Sequence, residues 1–354
     1  MKILHTSDVH LYSPLNTTLE PAKVKIRRRE LTSTFDRMID RAICEGVEVF
    51  IIAGDLFDSE VSLDAYERTF ASIERARSIQ FLYLTGNHEG NADALSKIKL
   101  PDNLSIIGSE WTYFDYDNLH IAGRSTNSAD MFNDLRLNQS GFNIVVLHGE
   151  IASGGTRDAI PNVARLGREV DYLALGHYHS YSVSRLGERG VAVYSGTPEG
   201  RGFDEAFPCG FVLIDTDGTR LSHRFVPFAK RRIFDVSVNA GTVSSRGEYE
   251  IAVANALREA TESDIVRVTL VGERTVDAYA DTEYLSSIFS QRYFHFEIRD
   301  RSTVKIDIEA YKNDKTMVGE FIRLVSAQDN LSDKEKSDII LLGMKALRAG
   351  RGDF

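Results

Sequence analysis

The chain has 354 residues, of which 27% are charged and 42% hydrophobic. This length and composition predict about two ordinary globular domains, each able to form a core without disulfides or structural metals. The 52 acidic side chains outnumber the 42 basic ones, which gives a net charge of −10 with His neutral. A charge of this sign does not by itself favour nucleic acid or an anionic membrane as a partner.

Membrane and secretion signals are not expected. No apolar run approaches the ~20 residues of a membrane helix. Near the start, only Ile3 and Leu4 form a short apolar pair, so we expect no signal peptide. The two cysteines, Cys44 and Cys209, are far apart and form no CxxC pattern. This usage is typical of a reduced, cytoplasmic protein whose thiols serve in packing.

The first two thirds of the chain alternate short apolar runs with amphipathic segments. One helix places Leu31, Phe35 and Met38 on one face and ends at Gly46, and a second runs from Leu63 to Ile73. The alternation predicts an α/β layered domain over residues 1–228. The predicted buried strands are Lys2–Thr6, Val49–Ala53, Phe81–Leu84, Ile144–Leu147, Tyr172–Leu175 and Val191–Tyr194.

The remainder changes character after a hairpin around Asp217 and Gly218. The pattern of residues 229–312 indicates a small α+β domain, and that of residues 313–354 indicates a C-terminal helical segment. We expect the last helix to open with a capping box at Ser332 and Glu335. In the α+β domain we expect strands Ile233–Val238, Ile265–Val271 and Val304–Ile308, and a helix that contains Val253, Ala256, Leu257 and Ala260.

Five polar motifs follow predicted strands of the first domain. Because ligands gather at the carboxyl ends of the strands in α/β sheets, we expect the loops to bring these residues together. Five of the nine histidines lie in the motifs. The motifs are Asp8-Val9-His10, Gly54-Asp55-Leu56-Phe57-Asp58, Gly86-Asn87-His88-Glu89, His148-Gly149-Glu150 and Gly176-His177-Tyr178-His179.

The residue types in these motifs suit a pair of divalent metal ions. Imidazole suits Mn, Fe and Zn, and carboxylate suits Mn and Mg. Two ions about 3.5–4 Å apart can stabilise the attacking and leaving oxygens of a displacement on phosphorus. No cysteine belongs to the set, which disfavours a structural zinc site. A lone His or Asp after a strand is more often a cap or turn residue, but the agreement of placement and spacing favours one joint site.

The ordered motifs DxH, GDxxD, GNHE, H and GHxH resemble the calcineurin-like metallophosphoesterase superfamily over the first domain. The resemblance implies a layered αββα sandwich and two divalent ions. It also implies that His88 faces the scissile phosphate and assists the leaving group. Asp58 matches a carboxylate that orients such a histidine, although a turn residue remains the alternative. The implied ligands are Asp8, His10 and His179 for the first ion, Asp55 as a bridge, and Asn87, His148 and His177 for the second ion.

Three segments are similar to the DNA-repair exonuclease branch of that superfamily, of the SbcD and YhaO type, which is also similar to the double-strand-break repair nuclease of meiotic recombination. They are Ile3–Leu11, Gly54–Asp58 and Tyr194–Glu205, the last with Ser195 in place of the usual Pro. In this branch a small α+β capping domain shapes the DNA path, a helical segment docks on an SMC-like ABC ATPase, and homodimers are common. The resemblance favours Mn, whereas the ligands alone also allow Fe, Zn or Mg.

Basic residues cluster between the first motif and the predicted first long helix. Such a run is often only a solvated face, but here it is also a candidate contact for backbone phosphates. Arg201 and residues 230–232 are further candidates. The helices within 316–347 either dock a partner or pack on their own domain. The run consists of Lys23, Lys25, Arg27, Arg28 and Arg29.

Two enzymatic hypotheses follow. In the first, the protein is a DNA exonuclease or endonuclease subunit, in which metal-bound hydroxide attacks phosphorus while His88 assists departure of the sugar oxygen. In the second, the same centre hydrolyses a small phosphoester such as a nucleotide or a cyclic nucleotide. A scaffold that binds metal without catalysis is disfavoured, because His88 and the full ligand set are present.

Overall fold

The computed structural model describes residues 1–15, 18–58, 61–86, 98–151, 158–275, 278, 280–305, 311 and 313–349. The chain forms two compact units, Met1–Ile233 and Phe234–Phe354. The finer division at residues 228 and 312 stays a prediction.

The first sheet of unit 1 contains six strands. Strands β1 to β4 run parallel to one another, with β4 at one edge, and β13 and β14 continue the sheet beyond β1, each antiparallel to its neighbour, in the order β14-β13-β1-β2-β3-β4. These strands are β1 (Lys2–Thr6), β2 (Val49–Ala53), β3 (Gln80–Leu84), β4 (Leu104–Ile107), β13 (Gly210–Thr216) and β14 (Leu221–Pro227).

The second sheet also contains six strands, in the order β11-β12-β10-β7-β6-β5, with an antiparallel strand at each edge. A separate short pair joins β8 (Glu150–Ile151) to β9 (Ala159–Ile160). The six strands are β5 (Thr112–Tyr116), β6 (Leu119–Gly123), β7 (Phe142–His148), β10 (Tyr172–Gly176), β11 (Ser182–Leu186) and β12 (Gly190–Tyr194).

The two sheets of unit 1 pack face to face. Ile3 and Leu82 of the first sheet share a buried core with Ile144 and Ala174 of the second. Helices α1 (Pro21–Glu45) and α2 (Leu63–Glu74) cover the outside of the first sheet. Among the described residues, 3₁₀ turns at 131–133 and 163–168 pack on the outside of the second. The predicted α/β layered sandwich is confirmed.

Helix α1 begins and ends where local chemistry dictates. Pro21 occupies its first turn, where the missing N–H costs nothing. Gly46 ends it at φ 70°, and its N–H reaches the carbonyls of Ala42 and Ile43. The expectation that the basic run precedes the helix was wrong. Lys and Arg are good helix formers, and Lys23–Arg29 lie inside α1.

Unit 2 pairs a three-stranded sheet, in the order β15-β16-β18, with helices. The predicted helix ends one turn early, because Leu257 is its C-cap; Leu257 nevertheless stays buried. The predicted strand Val304–Ile308 is described only to Lys305. The elements are β15 (Ile233–Asn239), α3 (Arg246–Ala256), β16 (Ile265–Val271), β17 (Glu273–Thr275), α4 (Thr282–Phe289), β18 (His295–Asp300), β19 (Thr303–Lys305), α5 (Met317–Ser326) and α6 (Asp333–Ala349).

Helices α5 and α6 have an inner and an outer face. The predicted capping box is confirmed, since the Ser332 N–H donates to Glu335 at 2.8 Å and the Glu335 N–H donates to Ser332 Oγ at 3.3 Å. Ile322 packs in one cluster with Ile340, so the helices pack within their own unit. Leu342 on the outer side is 71% exposed.

None of the helices in the described part of the chain has the length and apolarity to cross a membrane.

His5 is a buried histidine at the centre of the sandwich. Its side chain is 0% exposed, and its Nδ1 lies 2.9 Å from the Tyr172 hydroxyl. Burial disfavours the imidazolium and lowers the pKa of His5 from 6.5 to about 3. The unfolded chain therefore binds a proton here below pH 6.5 that the folded protein does not bind.

The contribution of His5 to stability should consequently fall as pH falls below 6.5. Between pH 7 and pH 5, His5 should account for a loss of up to about 2 kcal/mol in the free energy of unfolding. His5→Gln removes this titration, so its stability should depend less on pH over that range by a similar amount. Urea unfolding of both proteins at both pH values in EDTA measures the difference. Equal losses in the two proteins would contradict the assignment.

Candidate metal centre

The described motif residues meet at the carboxyl ends of four strands. Asn87, His88 and Glu89 lie outside the described residues. The predicted metal ligands that are described are Asp8 and His10 after β1, Asp55 after β2, His148 at the end of β7, and His177 and His179 after β10.

Asp8, His10 and His179 form a first cluster, in which one potential ligand atom from each residue lies within 4.8 Å of the others. The Nε2 atoms of His10 and His179 are 3.2 Å apart, and His179 Nε2 is 3.8 Å from Asp8 Oδ1. Two imidazoles that bind one ion at about 2.1 Å each place their nitrogens roughly 3 Å apart. The donor types and spacing therefore fit a divalent cation.

Asp8, Asp55 and His148 form a second cluster within the same 4.8 Å limit. Asp55 Oδ2 lies 3.5 Å from His148 Nε2 and 3.8 Å from His10 Nε2. Asp55 thus lies between a histidine of each cluster, as a bridging ligand would. Its metal-binding role, like that of the other ligands, stays a prediction.

The loops that present these residues adopt backbone conformations that are uncommon outside glycine. Asp8, His10 and Asp55 have φ values of 51°, 47° and 52°. Hydrogen bonds between the two loops hold them in place: the Asp8 N–H donates to Gly54 O at 3.1 Å, and the His10 N–H donates to Asp55 O at 3.0 Å. Such conformations persist where the surroundings fix them, and they are frequent at functional sites.

Two motif glycines make the close approach possible. A Cβ on Gly54, which has φ 94°, would lie 2.1 Å from His148 Nδ1. A Cβ on Gly86 would lie 2.0 Å from Asp55 Oδ1. Any side chain at either position would therefore displace a predicted ligand.

Hydrogen bonds behind the clusters orient the ligands. His148 Nδ1 lies 2.9 Å from the Ala53 carbonyl, which directs Nε2 toward Asp55. Ser7 Oγ donates to Asp8 Oδ2 at 2.5 Å and lies 2.8 Å from Ser195 Oγ. Sequence reasoning missed the two serines; the only signals were that Ser7 adjoins Asp8 and that Ser195 stands in place of a proline.

The charges of the site favour a cation. Burial and the nearby Arg201 lower the pKa of His10 to about 4, so its imidazole is neutral and able to bind metal. Burial also lowers the pKa of His148, but the hydrogen bond with Asp55 and the charges of Asp8 and Asp55 outweigh burial and raise that pKa to about 9. The buried carboxylates thus stabilise positive charge, which a divalent ion would supply in place of the proton.

Two further predicted residues lie beside the clusters. The rings of His177 and His148 are 5.6 Å apart in an edge-to-face arrangement. Asp58 Oδ1 is 3.3 Å from His10 Nδ1. The predicted contact of Asp58 with His88 involves a residue outside the described part of the chain, so it stays a prediction.

The three arginines predicted to bind substrate occupy different environments. Arg201 lies beside the first cluster, with Nη2 3.1 Å from His179 Nδ1, and with Asp58 it lines a cleft of about 290 Å³. Arg28 lines a groove of about 1000 Å³ along α1 and α2 and donates to the Pro14 carbonyl.

Arg27 does not fit the prediction of phosphate contact. Its side chain is buried, and its guanidinium donates to Glu30 at 2.6 Å, to Glu199 at 2.8 Å and to the Gly200 carbonyl at 2.7 Å. A buried arginine with this set of partners fixes α1 to the loop after β12 and does not face solvent.

Asp55→Asn should lower the metal content of the protein, because an amide cannot replace the charge of a bridging carboxylate. We expect the wild type to retain about two ions per chain after dialysis against Mn²⁺, and the variant to retain at most about one. Elemental analysis gives the count, and circular dichroism checks the fold. Asp64→Asn, which changes an exposed carboxylate of α2, is the control and should match the wild type. Two ions in Asp55→Asn would show that this site is wrong.

The sequence is similar to those of known proteins. The family model described as calcineurin-like phosphoesterase matches residues 1–188. The uncharacterized metallophosphoesterase YhaO of Bacillus subtilis is 28% identical over 64% of this chain and 60% of its own length. The DNA double-strand break repair protein Mre11 of Methanosarcina acetivorans is 26% identical over 64% of this chain and 39% of its own length.

A third relative is a subunit of the nuclease SbcCD from Staphylococcus saprophyticus, which is 22% identical over 73% of this chain and 74% of its own length. The chain spans less than two thirds of the YhaO and Mre11 relatives. The family model nevertheless covers more than half of the chain, and with the clustered motif residues it shows that the chain belongs to the calcineurin-like phosphoesterase family.

Proposed function

We propose that the chain is a two-metal phosphodiesterase that cleaves DNA, as the exonuclease or endonuclease subunit of a DNA-repair system. The observation that supports this proposal most directly is the buried pair of clusters that shares Asp8 at the strand ends of a hydrolase of this family. The names of two relatives, a DNA double-strand break repair protein and a nuclease subunit, favour DNA over other phosphoesters.

The chemistry divides between the ions and the chain. When bound, two divalent ions, for which we propose Mn with Fe, Zn or Mg as alternatives, supply an activated water and stabilise charge on the phosphate oxygens. Asp8 and Asp55 hold them, and neutral His10 offers its lone pair. Arg201, whose guanidinium also donates to Glu205, lines the adjoining cleft, where it can contact a phosphate. His88 donates a proton to the departing sugar oxygen.

The groove along α1 and α2 is the proposed path of the DNA backbone. Lys25, Arg28, Arg29 and Arg68 are among its described lining residues together with Asp36, and Arg68 is ion-paired with Asp64. Lysine and arginine side chains bind phosphates without regard to sequence and release counterions as they do so. This local excess of positive charge can attract the DNA backbone to the groove although the whole chain carries a net charge of −10.

The proposal extends to partners and location. The outer side of α5 and α6 exposes Met317, Leu324 and Leu342, and we propose that it docks an SMC-like ABC ATPase. A homodimer and a cytoplasmic location complete the proposal. The cysteines support the latter, because Cys44 and Cys209 are both unbridged.

Purified protein with Mn²⁺ should cleave a labelled single-stranded oligonucleotide or a duplex with open ends. His88→Ala should retain both ions and lose roughly 100-fold or more in DNA cleavage, because the proton donor is gone while the ligands stay. Gel assays and elemental analysis measure the two effects. Turnover of chromogenic phosphoesters without cleavage of either DNA would instead support the small-molecule enzyme. Full DNA cleavage by His88→Ala would refute its role as the acid.

Neutralising the groove separates a DNA substrate from a small one. The double variant Lys25→Gln with Arg29→Gln should raise the KM for DNA several-fold and reduce its dependence on salt, because about two phosphate contacts are lost. Turnover of a small diester should stay unchanged. Arg77→Gln, which changes an exposed arginine outside the groove, is the control. An unchanged KM and salt dependence for DNA would exclude the groove as the DNA path.

A further inference from the structure

Glu205 lies directly behind a predicted ligand of the first ion. One of its oxygens, Oε1, is 2.6 Å from Nδ1 of His179. The opposite nitrogen of the same ring, Nε2, is the atom that lies 3.2 Å from His10 Nε2. Glu205 is 3% exposed, so water does not compete strongly for its carboxylate.

The Glu205 carboxylate has a fixed direction. The Arg201 backbone N–H donates to Oε2 at 2.5 Å, and the Arg201 guanidinium donates to Oε1 from Nε at 3.2 Å and from Nη2 at 3.0 Å. Glu205 also closes a short 3₁₀ turn, in which its N–H donates to the Gly202 carbonyl. The spacing of Arg201 and Glu205 in the GRxxxE segment makes this closed arrangement possible.

We propose that Glu205 is a positioning residue for His179 in the first metal site. Its carboxylate accepts the Nδ1 proton, which selects the tautomer with an unprotonated Nε2 and holds the ring so that Nε2 faces Asp8 and His10. A carboxylate partner also makes a ligand imidazole more basic and therefore a stronger metal donor. This inference rests on the proposed metal centre and assigns a physical role to a segment that sequence reasoning identified only by resemblance.

The ligand histidine of the second cluster has a different partner. His148 Nδ1 lies against the backbone carbonyl of Ala53, which no side-chain substitution removes. Loss of the Glu205 carboxylate should therefore weaken the first ion selectively. Removal of such a partner typically costs about 10- to 100-fold in metal affinity.

Glu199 provides a matched control in the same loop. It is 1% exposed, accepts from Arg27 at 2.8 Å and from Thr34 Oγ1 at 2.9 Å, and also accepts the Lys230 backbone N–H at 2.5 Å. These hydrogen bonds hold the loop to α1 and to the chain after β14, and none of them involves His179. Glu199→Gln should thus lower stability through Arg27 without changing the orientation of His179.

The experiment titrates metal-free wild type, Glu205→Ala, Glu205→Gln and Glu199→Gln with Mn²⁺. Calorimetry follows the two binding steps, electron paramagnetic resonance detects the spin-coupled ion pair, and thermal unfolding reports the fold. We expect Glu205→Ala to bind one ion about 10- to 100-fold more weakly, with the other ion changed only a few-fold and the coupled signal lost at equal Mn²⁺. Glu205→Gln keeps an acceptor without the charge. Its Mn²⁺ affinity at this site should lie between that of Glu205→Ala and that of the wild type.

Glu199→Gln should unfold at a lower temperature but bind both ions as the wild type does. Wild-type binding of both ions by Glu205→Ala would overturn the role of Glu205 and leave the metal centre intact. An equal loss of affinity in Glu199→Gln would also overturn it, because loop support alone would then explain the effect. Failure of the wild type to bind Mn²⁺ would refute the proposed centre itself.

Discussion

The structure of the site depends on two carboxylates buried close together. Asp8 and Asp55 are 0% and 2% exposed, and ligand atoms of both lie within one 4.8 Å cluster. Two like charges in so little space need a compensating cation. These carboxylates raise the pKa of His148, so that its imidazole keeps a proton and supplies positive charge. A pair of divalent ions would compensate the two carboxylate charges more completely, and the donor atoms already face one another.

The surrounding architecture serves this constraint. Parallel strands end together, so β1, β2, β7 and β10 deliver short loops to one edge of the sandwich. The left-handed backbone at Asp8 and Asp55, and the glycines at 54 and 86, bring side chains closer than ordinary loops allow.

The Arg27 ion pairs with Glu30 and Glu199 then fix α1 to the loop that contains Arg201 and Glu205. A polar site with little freedom of movement results.

Much of this could be predicted from the sequence. Apolar runs placed six strands and two helices of unit 1, because buried strands and amphipathic helices have distinct periods. The strands β4–β6 were not predicted; β5, which is half-buried along most of its length, shows no regular alternation of apolar and polar residues. The motifs indicated the ligands, because each follows a strand.

The contact between Glu205 and His179 could not be predicted, because it depends on how a long loop folds back. Arg27 was misassigned although a signal existed: it shares the helical spacing of Leu31 and Phe35, which places it on the buried face of α1.

We propose that the chain holds two metal ions in the shared cluster at the strand ends. Diffraction from crystals grown with Mn²⁺, measured at the manganese absorption edge, tests it most directly. We expect two anomalous peaks about 3.5–4 Å apart, one next to Asp8, His10 and His179, and the other next to His148, with Asp55 between them. A single peak, or peaks away from these residues, would contradict it.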